Sequence, residues 1–182
     1  MKPADKNQLI QRGNVLKPIV WGGLVAGILD GADAIIFLGW MRGVLAARIF
    51  QFIASGLLGT SAFRSGWTSA AVGVICHFVI ATGAAAFYQA LVFRWPSILR
   101  KPALAGPVFG LGAFVFMHYL VVPLSRTPKG PEGSMGVCAN LVLSHILFVG
   151  LPIALIASRS SRLLSPAPEP VAPISTNEKN PA

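Results

Sequence analysis

Between Trp21 and Trp40 the chain reads WGGLVAGILDGADAIIFLGW. A tryptophan closes each end, and the 19 steps between them span roughly 28 Å as an α-helix. The hydrocarbon core of a bilayer is about 30 Å thick, and Trp is enriched at both of its interfaces. The stretch therefore reads as a membrane-spanning helix. Only Asp30 and Asp33 break its apolar character.

Working outward, the first span covers about 19–40. Three further runs qualify by length and apolarity, at about 67–93, 103–124 and 138–157. All four tryptophans (Trp21, Trp40, Trp67 and Trp95) sit at the edges of these runs. The whole-chain balance agrees. Of 182 residues, 54% are hydrophobic and 12% charged, and the mean hydropathy is +0.66. A soluble domain carries about 25% charged residues to cover its surface. A soluble enzyme and a disordered chain are both excluded on this ground. Two cysteines, each in or at the edge of an apolar run, do not make a disulfide-stapled secreted module.

A fifth apolar run, 44–63, carries Arg48, Gln51, Ser55 and Gly59 at the spacing of one helical stripe. That amphipathic pattern suits a helix lying in the interface or a re-entrant element packed on the bundle. Basic residues decide between four spans and five. With four spans and both termini inside, ten Lys and Arg lie inside and five outside; with five spans the split is seven to seven, with Arg48 in the membrane. The positive-inside rule favours four. It also accounts for most of the net charge of +9 without nucleic acid as a partner. The expected architecture is an all-α integral membrane bundle of four transmembrane helices plus one amphipathic helix. A basic N-terminus (1–18) and a proline-rich disordered tail (158–182) would flank it, both in the cytoplasm.

Gly23, Gly27 and Gly31 form a ladder of small residues on the first span, and Gly106 and Gly110 repeat the device on the third. In lipid such ladders allow close backbone approach. Packing inside the chain and homodimerisation are both open readings. Pro107 and Pro152 each remove a helical hydrogen bond and are candidate kinks.

Ionisable residues are costly in hydrocarbon, and they usually face the bundle interior or a water-filled cavity. Here Asp30, Asp33 and all three histidines (His77, His118 and His145) fall within spans. Asp33 lies seven residues from Trp40, Asp30 ten from Trp40, His77 ten from Trp67, His118 six from Leu124 and His145 seven from Cys138. In the four-span topology all five then lie roughly 9–15 Å below the outer ends of their helices. They form one layer, to which every span contributes. Gln51, Tyr119, Asn140, Ser144 and Thr82 are expected hydrogen-bonding partners.

Three readings fit this layer. Buried Asp and His can pair across helices as glue. Three imidazoles and a carboxylate can complete a tetrahedral Zn²⁺ or another divalent metal, or two His on facing helices can ligate haem iron. Intramembrane Asp/His chains can also relay protons for a small solute. The sequence contains no HExxH, GxSxG or Walker loop. An enzyme acting on a lipid or quinone would need a nucleophile that the sequence does not offer.

The runs GGLVAGILDGADAI, FQFIASGLLG, GVICHFVIATGAAAFY and MHYLVVPLSR resemble an uncharacterised family of small bacterial inner-membrane proteins. The resemblance covers about 19–126. It implies a four-helix protein of the inner (plasma) membrane and gives no residue a catalytic role.

Overall fold

The computed structural model describes residues 6–128 and 134–162, and every regular element in them is helical. Helix α1 runs Lys6–Arg42, α2 Ala46–Leu58, α3 Gly66–Arg94 and α4 Pro102–Phe116. A π-helical turn, Met117–Val121, joins α4 to the short α5, Val122–Leu124. Then follow α6, Met135–Ser144, a second π turn, His145–Gly150, and α7, Leu151–Arg162. Four helical stretches are long and apolar enough to cross a membrane: Val15–Arg42, Gly66–Arg94, Pro102–Leu124 and Met135–Ser160. The chain is a polytopic membrane protein.

The boundaries differ from the sequence expectation at both termini. Helix α1 starts well before the apolar run, because nothing between Lys6 and Ile19 stops a helix except Pro18, which α1 absorbs. The last helix passes the expected boundary at 158 and continues to Arg162. The rest of the expected tail lies outside the described residues.

The glycine ladder of α1 packs inside the chain. A Cβ on Gly23 would lie 2.5 Å from Thr82 Cα, and one on Gly27 2.8 Å from the Phe78 ring. One on Gly31 would lie 3.3 Å from His77 Nε2. Helices α1 and α3 therefore run antiparallel at a separation that side chains at these positions would forbid. The third span meets the fourth in the same way. A Cβ on Gly106 would lie 2.8 Å from Leu151 Cα, and one on Gly110 would overlap the His145 carbonyl. Gly150 faces the same strip from the other side, so a Cβ there would overlap the Gly106 carbonyl. The core sits towards the end of the bundle away from α2, built from Ala26, Ala85, Tyr88, Val149, Ile153 and Ala154. Phe109 closes it edge-on against Tyr88, ring centroids 5.0 Å apart.

The two π turns have one cause. Each is followed, after one intervening residue, by a proline: Pro123 and Pro152. A proline cannot donate, and its ring clashes with the carbonyl four residues back. The turn before it widens instead: Val122 N–H donates to Met117 O, and Leu151 N–H to Ile146 O, each five residues back. Pro107, the other expected kink, sits in the first turns of α4, where the helix remains α.

Helix α2 is inside out. Its buried positions are Ile49, Gln51, Ala54 and Ser55, whereas Phe52, Leu57 and Leu58 are exposed. Gln51 and Ser55 of the polar stripe lie on the packed face while Arg48 stays exposed, so the packed-element reading describes α2 better than that of a helix with its polar face in water. It lies on the first turns of α3, where Gly73 lets the Phe50 carbonyl reach the α3 backbone. Gln51 Nε2 donates to Gly66 O at 2.8 Å, and Ser55 Oγ to Phe52 O at 2.6 Å. The chain beyond α5 seats on the same helix, with Arg126 N–H donating to Gly56 O at 3.0 Å.

Candidate functional site: the intramembrane polar layer

Asp30 and Asp33 are one turn apart on α1, so they present one face. On the fourth span Asn140 and Ser144 are likewise one turn apart. The two pairs meet. Ser144 Oγ donates to Asp30 Oδ1 at 2.6 Å, and Asn140 Nδ2 donates to Asp33 Oδ2 at 2.8 Å. Both carboxyls are half-buried, and Ser144 is buried. Each carboxyl thus meets a neutral donor on another helix.

The histidines go elsewhere. On α3, His77 uses Nε2–H to reach Gly27 O of α1 at 2.8 Å. This is the carbonyl that the glycine ladder brings within range. Its ring stands edge-on to Phe78 and Phe50, at 5.6 and 6.1 Å. His145, in the second π turn, donates Nδ1–H to Leu141 O of its own span at 2.8 Å. His118, in the first π turn, is exposed and stacks on Phe114 at 5.4 Å. Phe114 also touches His145, at 5.7 Å, so these two histidines share an aromatic neighbour.

The layer therefore exists as separate contacts that do not share a centre. Among the described residues, no three of His, Cys, Asp and Glu come together where one metal ion could sit. The expectation of a shared zinc-type centre on three imidazoles and a carboxylate is corrected accordingly. A tetrahedral site needs ligand bonds of about 2.0–2.1 Å from every imidazole to one point. Here His77 is turned to α1, while His118 and His145 are gathered around Phe114.

Of the expected partners, Asn140 and Ser144 donate to the two aspartates, whereas Gln51 bridges Arg48 and the start of α3. Tyr119 stands edge-on to His118 at 4.9 Å and is exposed, and Thr82 packs against Gly23. Sequence reasoning missed Gly27 O as a partner, although Gly27 was marked as a packing residue. It also missed Tyr88 Oη and Gln89 Oε1, both buried on α3 with no hydrogen-bond partner among the described residues. Neither of the two cysteines, Cys76 and Cys138, forms a disulfide. Compared with family models, with curated proteins and with solved structures, the chain finds no match.

Proposed function

We propose that this chain is a structural or assembly protein of a bacterial inner membrane, with both termini in the cytoplasm, and that its Asp/His layer is helix–helix glue. One observation carries the reading. The hydrogen bonds from Ser144 to Asp30, from Asn140 to Asp33 and from His77 to Gly27 O all cross between helices and tie the first span to two others. Interhelical bonds in membranes contribute about 0.6 kcal/mol each, up to about 1.7. Three of them orient a bundle whose apolar faces are otherwise indifferent between neighbour and lipid. The test is a double-mutant cycle on Asp33→Asn and Asn140→Ala, read as thermal unfolding in detergent. A coupling of about 0.5 kcal/mol or more supports glue. Additive effects with unchanged melting would overturn it.

A second reading has its own support. Asp30 and Asp33 are half-buried, and each meets a neutral donor in place of a cation. Such carboxyls suit proton exchange linked to a small solute. A proton flux into dye-loaded vesicles that both Asp30→Asn and Asp33→Asn abolish would favour this reading over glue.

A further inference from the structure

Among the described residues, the bundle end that carries α2 has arginines without a carboxylate to meet them. The only acids among the described residues are Asp30 and Asp33, and both are engaged on the fourth span. Three arginines border one short feature, the 3₁₀ turn Gly59–Phe63, Arg48 through its side chain and Arg64 and Arg126 through their backbones. Arg48 Nη1 donates to Phe63 O at 3.0 Å and to Gln51 Oε1 at 3.1 Å. Its guanidinium also lies 5.2 Å from the centroid of the Phe63 ring. Arg64 caps the same turn, its N–H on Ser61 O at 3.0 Å. Arg126 is tied to α2 through Gly56 O, and a Cβ on Gly59 would lie 3.9 Å from both its Cβ and its carbonyl.

Arg48 is thus held by one edge. Nη1 is used inward, while Nε and Nη2 remain for a ligand, and the side chain is exposed. A guanidinium fixed in this way has already lost much of its rotamer freedom, and its planar fork suits a phosphate oxygen pair. Arg64 and Arg126 are exposed at the same end of the bundle, with their backbones seated on this turn and on α2. Around them stand large apolar side chains open to the surroundings: Leu57 at 61% exposure, Phe52 at 49% and Trp67 at 81%. A soluble anion has no use for these. A phospholipid has both an anionic head and acyl chains. The end of a span is also the depth at which head and chain meet.

We propose that Arg48, Arg64 and Arg126 form a site for the headgroup of an anionic phospholipid, with its acyl chains lying along α2. The site rests on the membrane reading alone and is independent of the glue assigned to the polar layer.

The test uses the full chain in detergent, with retained lipid read by native mass spectrometry. Phosphatidylglycerol and phosphatidylcholine serve as probes. The wild type is expected to retain phosphatidylglycerol preferentially. Each of Arg48→Gln, Arg64→Gln and Arg126→Gln is expected to weaken retention about fivefold, from the attraction of one basic residue to an anionic surface. The double variant Arg64→Gln/Arg126→Gln leaves the Arg48 bonds to Phe63 and Gln51 intact, so its fold is preserved and its loss reports binding. The double variant Lys17→Gln/Arg159→Gln, which alters exposed basic residues at the opposite end, is expected to keep the preference. Undiminished retention in Arg64→Gln/Arg126→Gln would overturn the proposal, as would equal loss in the Lys17/Arg159 control. Inorganic phosphate that binds as tightly as the lipid and displaces it completely would also overturn it, as the mark of a soluble anion site.

Discussion

Two glycines only two residues apart on α4 show how much a single Cβ can decide. Gly110 touches the His145 carbonyl, whereas nothing lies within 4 Å of the position a Gly112 Cβ would take. Gly110→Ala is expected to destabilise by about 1–3 kcal/mol, because the obstacle is backbone and cannot rotate away. Gly112→Ala is expected to be neutral or to stabilise by up to about 1 kcal/mol, the helix-propensity difference. Thermal melting of both variants in detergent checks the pair, and equal losses would refute the geometry. At the polar layer, Asn140→Ala strips Asp33 of its donor and is expected to cost about 1–3 kcal/mol. Adding Asp33→Leu should recover most of that loss, because the unpaired carboxyl is then gone. The Asp33–Asn140 and Asp30–Ser144 contacts were within reach of the sequence, since a pair three apart on one helix fits a pair four apart on another. The choice made by His77 was not. It depends on how closely Gly27 lets α3 approach, and spacing along one helix does not encode a distance between two.

The spans were legible as elements because hydropathy over twenty residues is a strong signal. Their interruptions were not. Pro152 was marked as a kink, yet the outcome is a π turn before it, and Pro123 produces a second one. A π turn holds one residue more than an α turn needs. Deleting the exposed Leu147 from His145–Gly150 should therefore return that turn to α-helix with Ser144 and Ile153 still in register. Deleting the exposed Ile75 from the uninterrupted α3 should rotate His77 and everything after it by about 100°. The first deletion is expected to elute as one sharp species on size exclusion and to melt cooperatively; the second is expected to aggregate. Identical behaviour would mean that the π turn is not a single-residue insertion.

For the molecule as a whole, the positive-inside count predicts that the 95–101 connection faces the cytoplasm. Single cysteines at Ser97 and Ser61, in a background lacking Cys76 and Cys138, should label from opposite sides of the membrane. Labelling from the same side would break the four-span topology. Removing Arg94, Arg100 and Lys101 together should scramble the pattern, because those charges hold the second and third spans in orientation. Composition told the solvent and the number of crossings. It could not tell that Gln51 and Ser55 of the polar stripe would turn towards α3 while Arg48 stays exposed, because an amphipathic pattern fixes two faces without saying which one meets the bundle.

That inversion bears on synthesis. As the chain leaves the ribosome, residues 46–58 emerge before their partner, and the Gln51 amide nitrogen lacks its acceptor until Gly66 follows. The lipid-facing side of α2 is ready to partition early, while its other side is not. Release into the bilayer should therefore come late and as a pair, with α2 retained at the insertion machinery until the first turns of α3 have arrived to close over it. A force-profile measurement on nascent chains of increasing length should then show one pull for the two helices, and Gln51→Leu should split it into two.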